Sequence, residues 1–392
     1  MRKSIKSFLL VSVLFVSCDG FFGTETDLDF IETPEFQIRD ISYVPIQPAL
    51  TNFIRPIDIT TGFDELIYVI DEATEEVISL DESGRELGRF TVQGARSIVQ
   101  DRRFDLLVIG SKTDTISGQA FDLTCIYRID LHGANGAYGI RHAKISNEIV
   151  HPFYYKSTFS STDPSVIFNR IGVLANNDYY VTRNGNGGNN FDGPDDAILR
   201  FDSEDNFVTP IAVSSNGALY RDYFKKPFGV VTTVQPPQIS ANGNNDFLFS
   251  SVDPQGVIKV QYIEYIETEF GATYEPRVMT TTEDEADGFL TFPYRFDDPT
   301  GVSLAGDGTN HIFITDSKKD SLYLFSLNGF EGVKPPPGYS STKYINVSFG
   351  GTGTGLSQFK EPTGIAYKNK VVYIADAGNG RILRFKLTTD FD

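Results

Sequence analysis

The chain has few of the residues that form disulfide bonds or common catalytic sites. Its 392 residues include two cysteines, four histidines and no tryptophan. Cys18 and Cys125 allow at most one disulfide, so a disulfide-rich scaffold is excluded. The absence of tryptophan weakens a carbohydrate-stacking platform, although 19 tyrosines and 32 phenylalanines are present. No two histidines stand at metal-ligand spacing; they are His132, His142, His151 and His311.

Long hydrophobic runs are also scarce, and the one at the N-terminus is short. A basic start is followed by about ten mostly apolar residues, Phe8 to Ser17, and then by Cys18. This pattern predicts that residues 1–17 are a signal peptide, because a spanning helix needs roughly 18 or more apolar residues. If Cys18 is modified, Cys125 is the only thiol left in the mature chain.

The residues before Cys18 add a more specific expectation. Val-Ser-Cys behind a Leu/Phe/Val run resembles the lipobox of bacterial lipoproteins. The resemblance implies cleavage before Cys18, lipidation of that cysteine and membrane attachment through lipid alone, in the periplasm or at the cell surface. An ordinary signal with an incidental cysteine is the alternative. Asp19 resembles an inner-membrane retention signal and the acidic residues 19–32 resemble a surface-export tag, so the choice of membrane stays open. Residues 18–33 are interpreted as an acidic flexible tether.

Basic residues are too few to favour nucleic acid as a partner. Lysine and arginine total 34 against 52 acidic residues, a formal charge of -18. Loss of the three basic residues of the signal makes it about -21 by subtraction. An acidic surface repels phosphate backbones, and the few dibasic pairs are scattered.

The chain does contain an internal repeat. EPTGIAYKNKVVYIADAGNGRILRFKL, residues 361–387, aligns with segments starting at Asp298 and Arg55. The alignment rests on the aspartate that ends the first apolar run, and apolar residues recur seven and nine positions later. The aspartates are Asp71, Asp316 and Asp376. Weaker copies in residues 95–297 bring the number of units to six, with five or seven still open.

Repeats of about 40 to 50 residues with several short strands predict an all-β, six-bladed β-propeller in residues 34–392. P-x-G-I-A, V-Y-I-A-D and then Asn379-x-Arg381-Ile resemble the NHL repeat. The last unit alone carries the Asn379 and Arg381 pair. The last unit also supplies only three strands, so a strand-like segment at residues 36–44 is predicted to close its blade. That segment contains Phe36, Ile38, Ile41 and Tyr43.

Two loops and the repeated aspartates are the candidate sites. The loop at residues 183–197 offers amide and carboxylate oxygens that suit Ca²⁺, but its spacing differs from a regular calcium loop, which favours a solvated turn. Its candidate ligands are Asn184, Asn186, Asp192, Asp195 and Asp196. Gly350 to Gly355 is interpreted as a connector between blades, because no helix follows as a phosphate loop requires. Asp71, Asp316 and Asp376 are expected to accept backbone hydrogen bonds at turns rather than to catalyse.

No nucleophile or convergent catalytic set is identified, so an enzyme is the less favoured interpretation. The sequence favours a lipid-anchored extracytoplasmic propeller that binds a protein or another ligand across one face. The alternative is a hydrolase or lyase with a metal in the central channel, as in some proteins of this architecture.

Overall fold

The computed structural model describes residues 40–391 except residue 155, residues 186–193, residues 237–243 and residue 270. The predicted signal peptide, Cys18, Phe36 and Ile38 therefore lie outside the described residues. Strand β1 comes first in the chain, Tyr43–Leu50. The remaining strands form six consecutive blades, as the repeat predicts, and all strand pairings within them are antiparallel except that of Val213–Ser215 with Gly271–Pro276.

The first three blades are four-stranded sheets. Blade 1 contains β2 to β5: Pro56–Thr61, Ile67–Asp71, Glu76–Leu80 and Glu86–Thr91. Blade 2 contains β6 to β9: Ser97–Gln100, Leu106–Ile116, Gln119–Asp130 and Lys144–Val150. Blade 3 contains β10 to β13: Ile167–Val173, Tyr179–Asn184, Ala197–Phe201 and Phe207–Pro210.

Blade 4 has six strands because the hairpin of β14 and β15, Val213–Ser215 and Ala218–Tyr220, extends its outer edge. Its other strands are β16 to β19: Pro227–Thr232, Phe247–Ser251, Val260–Thr268 and Gly271–Pro276. Blade 5 contains β20 to β23: Pro299–Leu304, Ile312–Asp316, Ser321–Phe325 and Phe349–Gly350. Blade 6 contains β24 to β26: Pro362–Lys368, Val371–Asp376 and Arg381–Leu387.

Strand β1 completes blade 6, which confirms that an N-terminal strand closes the ring. It pairs antiparallel with β26, from Tyr43 opposite Leu387 to Leu50 opposite Ile382. The predicted bounds, residues 36–44, were set too early. The outer strand of a blade is only half-buried and tolerates prolines, so Pro45 and Pro48 fit there without the apolar alternation that marks a buried strand.

The second strand of each blade lies between two neighbouring blades, which explains its continuous apolar sequence. Tyr68 and Ile70 of β3 pack against blade 2, whereas Ile67 and Val69 pack against blade 6. Alternate side chains thus enter two different cores, and all four are fully buried.

Helical structure in the described residues is limited to 3₁₀ turns: Ala134–Gly136, Ile140–His142, Lys156–Thr158, Asp163–Ser165, Ala377–Asn379 and Thr388–Asp390. Within residues 40–391 as described, none of these could cross a bilayer. Cys125 is buried in β8, and burial raises the pKa of its thiol to about 12.

Candidate functional site

The innermost strands β2, β6, β10, β16, β20 and β24 surround a central channel. We call the end at which these strands begin the upper face and the end at which they finish the lower face. A narrow cavity of about 70 Å³ remains inside, and Asp58, Arg170 and Tyr367 are among its lining residues. This volume has room for about two water molecules.

The residue type at the third position of the P-x-G pattern differs between the two halves of the channel wall. Blades 4, 5 and 6 carry Gly229, Gly301 and Gly364, whereas blades 1, 2 and 3 carry Asp58, Ser97 and Arg170. A Cβ on Gly364 would lie 2.8 Å from the Cα atom of Asp58, and one on Gly301 would lie 2.9 Å from the Thr363 carbonyl oxygen. The glycines therefore let neighbouring inner strands approach closely.

Arg170 crosses the channel near the upper face. Its guanidinium donates to the carbonyl oxygens of Arg96 at 3.0 Å and Ile57 at 3.2 Å, which belong to blades 2 and 1. It also lies 5.0 Å from the centre of the Phe228 ring in blade 4. The side chain is nine-tenths buried, so it narrows the upper end of the channel.

Asp58 is the one carboxylate among the residues that line this part of the described channel. Its Oδ2 accepts the Ile98 amide at 2.9 Å, and its Oδ1 lies 3.6 Å from Arg170 Nε. Burial raises the pKa of Asp58, and the opposing effect of Arg170 does not cancel the increase. A divalent ion needs several oxygen or nitrogen ligands, and here a guanidinium already faces the carboxylate. These residues do not fit a channel metal.

At the lower face the channel opens into a cavity of about 320 Å³, which we call the axial cavity. Phe63 and Pro236 line both spaces. The axial cavity is central because its walls come from blades 1, 2, 4 and 6: Gly62, Phe63, Glu65, Arg102, Phe104, Pro236, Lys368 and Asn369.

Two cations of the axial cavity have no ion-pair partner among the described residues. Arg102 Nη1 donates to the Ala175 carbonyl oxygen at 2.5 Å, and Lys368 Nζ donates to the Glu65 carbonyl oxygen. Carbonyl groups hold these side chains in place without neutralising their charge. Glu65 lines the same cavity, so the described lining has two cations against one carboxylate, a net positive charge that favours an anion.

Aromatic rings lie beside these cations. Phe104 is 39% exposed, and its backbone adopts a left-handed conformation with φ 67°. Tyr138 contacts the Phe104 ring edge-on, with ring centroids 6.3 Å apart. Tyr138 also donates to Asp64 Oδ2 at 2.5 Å, and Gln100 donates to the same oxygen at 2.8 Å. This network beneath the rings fixes their positions.

The repeated aspartates lie on the upper face and hold backbone amides. Asp316 accepts four of them, from Asp297 and Asp298 at 2.6 and 3.1 Å and from Lys318 and Lys319 at 3.1 and 3.0 Å. Asp71 accepts those of Ile54, Arg55 and Ala73.

Asp376 serves the same purpose with help from the Asn379 and Arg381 pair. It accepts the Lys360 amide at 2.7 Å, while Asn379 and Arg381 donate to its other oxygen at 2.9 and 2.7 Å. Arg381 also donates to the carbonyl oxygens of Thr354 and Gly355. The pair therefore attaches the glycine-rich connector at residues 350–355 to blade 6.

The described ends of the loop at residues 183–197 lie elsewhere, at the upper face of blade 3. Asn186 and Asp192 are outside the described residues, whereas Asn184 ends β11. Asp195 Oδ1 lies 3.6 Å from a guanidinium nitrogen of Arg183. Asp196 lies beside Asp195 and directly before β12. The Ca²⁺ hypothesis for these residues stays a prediction, and the nearby guanidinium opposes it.

The histidines do not converge. His132, Asp105 and Asp130 on the lower face of blade 2 bring one ligand atom each within 4.8 Å of the others. Each carboxylate already faces a cation that would oppose a metal ion, because Arg128 lies 3.3 Å from Asp105 and Lys144 lies 2.9 Å from Asp130. The other three histidines lie apart: His151 is buried near blade 3, His142 ends a 3₁₀ turn and His311 precedes β21.

Sequence reasoning did not identify the axial cavity or the Asp58 and Arg170 pair. A signal for the pair was present: the stretch from Arg55 reads P-I-D-I where the last unit reads P-T-G-I. A charged residue at the glycine position of an inner strand points into the channel. Arg102 and Phe104 share one turn of blade 2, whereas Lys368 ends β24 in blade 6, and no short motif connects these two parts of the chain.

Comparison with known proteins supports the fold and goes no further. No protein-family model and no curated protein matches the chain. Among solved structures, an auxiliary nutrient binding protein from Bacteroides thetaiotaomicron is 12% identical with a TM-score of 0.50, over 86% of this chain and 69% of that one. Virginiamycin B lyase from Staphylococcus aureus is 12% identical with a TM-score of 0.45, over 88% and 99%. The chain is a six-bladed β-propeller with binding proteins and lyases among its structural neighbours.

Proposed function

We propose that this protein is an exported, NHL-like propeller that binds a small organic anion with an apolar body in the axial cavity. The observation that carries the proposal is that Arg102 and Lys368, neither of which has a carboxylate partner in the part of the chain that the structure describes, line one cavity with the exposed ring of Phe104. A ligand that combines a carboxylate, sulfonate or phosphate with a ring or acyl portion would satisfy both.

The size and position of the cavity support a ligand site. Its volume of about 320 Å³ lies at the lower limit of ligand pockets, which span roughly 300 to 1,000 Å³. The axis of the propeller is where turns from several blades come together, so one ligand can contact four blades. The overall charge of -18 disfavours anions at most of the surface, and the two cations create a local exception.

The description of one structural neighbour is consistent with a ligand-binding function. The Bacteroides protein with a TM-score of 0.50 is described as an auxiliary nutrient binding protein. At 12% identity the likeness concerns the fold, so the ligand class proposed here comes from the axial cavity alone.

We further propose that Cys18 carries lipid and places the propeller in the cell envelope, facing the periplasm or the cell surface. At least two acyl chains on one cysteine give stable attachment, at about 0.8 kcal/mol per buried CH₂. Cys18→Ser should leave the propeller folded and abolish its partition into the detergent phase. Equal partition of variant and parent would refute the anchor without affecting the axial site.

Binding is tested with two fluorescent probes that differ in charge. 8-Anilinonaphthalene-1-sulfonate is an aromatic anion, and N-phenyl-1-naphthylamine is its neutral relative. In a chain starting at Thr26, Arg102→Gln combined with Lys368→Met should weaken binding of the sulfonate at least tenfold, as expected for two charge-assisted contacts. Binding of the neutral amine should change less than twofold. Phe104→Ala should weaken both.

A matched double variant controls for the change in net charge. Arg85→Gln with Lys225→Met also removes two cations, but these pair with Asp81 and Asp222 on the surface. All variants must keep the parent melting temperature, because partly unfolded chains bind both dyes. Equal loss of sulfonate binding in the two double variants, or no saturable binding by the parent, would overturn the proposal.

A further inference from the structure

A second cavity lies off the axis, between blades 5 and 6 on the lower face. Its volume is about 260 Å³, and we call it the lateral cavity. Its polar walls combine the turn that precedes β21 with the chain ends that close the ring. Its ionisable lining residues include Tyr43, Asp307, His311, Lys334, Lys370 and Asp390.

Asp307 provides an ionised acceptor held by neutral donors. The Thr309 amide and hydroxyl donate to Oδ1 at 3.0 and 2.6 Å, and the Tyr367 hydroxyl donates to Oδ2 at 2.5 Å. Burial alone would raise the pKa of Asp307, but these hydrogen bonds outweigh it and lower the pKa. Oδ1 already accepts two bonds, so Oδ2 is the oxygen that can accept a further bond from a ligand.

His311 and Tyr43 add neutral donors. The His311 ring packs edge-on against Phe313, and burial lowers its pKa despite the nearby Asp307 and Asp390. A neutral imidazole offers one donor and one acceptor. Burial, followed by Asp390 and Asp307, raises the pKa of Tyr43, so its hydroxyl keeps its proton.

The remaining charges balance. Lys370 Nζ lies 3.1 Å from Asp390 Oδ1, and Lys334 lines the same cavity as Asp307, so the lining has two lysines and two aspartates. The lateral cavity therefore differs from the axial cavity, where two cations lack ion pairs. Its carboxylates accept hydrogen bonds, its ammonium groups donate them, and its imidazole does both, while the Tyr43 and Tyr367 rings provide apolar surface.

We propose that the lateral cavity is a second binding site, for an uncharged polyhydroxylated ligand the size of a monosaccharide. Hydroxyl groups both donate and accept, so they match carboxylates and ammonium groups at once. A ligand with a net charge would disturb the balance. The proposal is independent of the axial site, because the two cavities share no lining residue.

The walls of the lateral cavity link binding to ring closure. Ile41 and Tyr43 belong to the chain that leads into and forms β1, whereas Leu387 and Asp390 follow from β26. A ligand held between them contacts both ends of the ring. Its binding should therefore raise the melting temperature, since it binds the folded state alone.

Histidine NMR provides a direct test, because the chain has only four histidines. With ¹³C-labelled histidine, D-glucose, D-galactose, D-mannose and myo-inositol are titrated separately, and L-alanine and trimethylamine serve as charged probes. At least one polyol should shift the His311 signal saturably, with a dissociation constant below about 1 mM. His311→Gln identifies that signal by its loss.

Asp307→Asn should weaken the polyol at least tenfold, whereas Asp81→Asn, which alters an exposed carboxylate in a turn of blade 1, should not. Calorimetry provides the same comparison without relying on His311. The proposal is overturned if none of the four polyols binds, if trimethylamine or alanine binds instead, or if Asp307→Asn leaves polyol binding unchanged.

Discussion

Blades 1, 5 and 6 differ from blades 2, 3 and 4 at one backbone position, the end of the second strand. The first group has Asp71, Asp316 and Asp376, opposite the first residue of the inner strand. In the second group Arg183 and Ser251 lie opposite Phe168 and Pro227 near the start of the inner strand, while in blade 2 the second strand continues to Ile116 and Gly110 follows the Ile109 that pairs with Ser97. All six blades share the order of their three inner strands, so the aspartate is one of several ways to hold the same part of the blade.

That part is the connection that arrives from the previous blade. In blade 5 a carboxylate accepts amides from that connection. In blade 3 this position has a cation instead of a carboxylate. The Arg183 guanidinium lies 4.1 Å from the centre of the Phe153 ring, which belongs to the connection from blade 2, and it donates to the Pro194 carbonyl oxygen at 2.7 Å. Ser251 in blade 4 donates to Lys225 and accepts from Asp253. A repeat can thus lose its signature and keep its geometry.

The strongest test of this comparison removes closure from blade 6, which has both the aspartate and a borrowed strand. A chain starting at Ala49 loses Ile41, which is buried, and Tyr43, which packs on Phe313 and Phe349. At about 25 cal/mol per Å² this loss is on the order of 3 to 5 kcal/mol. We expect aggregation or a melting temperature about 4 to 7 °C lower than for a chain starting at Thr26. Equal melting would mean that the aspartate framework holds blade 6 without β1.

The next largest effect compares equivalent positions directly. Asp316→Ala leaves four amides without their acceptor and should lower the free energy of unfolding by about 4 kcal/mol. Ser251→Ala removes a neutral group with two bonds and should lower it by about 1 kcal/mol. Urea denaturation measures both. Similar losses would show that the two groups of blades depend equally on this position.

A third test concerns the inner strands, where blades 4 to 6 have a glycine at the third position of the P-x-G pattern and blades 1 to 3 have a larger residue. Arg170→Met leaves the buried Asp58 carboxylate without its cationic partner and should lower the free energy of unfolding by about 3 kcal/mol. Adding Asp58→Asn should recover part of that loss, since no buried charge remains. A double variant as unstable as the sum of the two single ones would show that the pair does not interact.

The smallest expected effect depends on pH and concerns blade 3. Burial lowers the pKa of His151 to about 4, below its ordinary value of 6.5. The unfolded state then binds more protons between these values, so stability is present near pH 7 and is lost as the pH falls. From pH 7 to 5 the contribution is about 2 kcal/mol. His151→Phe should reduce the pH dependence of the urea midpoint, whereas His142→Gln should not. Parallel profiles for all three proteins would contradict this assignment.

The fold could be predicted because the same spacing of proline, aspartate and apolar residues recurs in three blades. The spacing between Asp316 and Tyr323, or between Asp376 and Leu383, records two strands and a tight turn, and local backbone geometry fixes that spacing. The bounds of β1 were predicted too early because an edge strand buries few side chains and its sequence is weakly constrained. The loop around Asp195 was a candidate on composition alone, and the structure places Arg183 beside it.

The sequence by itself determined the β-propeller, its six units and its closure by the N-terminal segment, because strand periodicity and repeat spacing are local properties. Only the tertiary structure decided where a ligand could bind. Arg102 and Lys368 lie 266 positions apart in the chain, and they line one cavity because the ring brings turns of blades 2 and 6 to the same axis. Tyr43 and Asp307 are brought together in the same way, because closing the ring places the first strand beside a turn of blade 5.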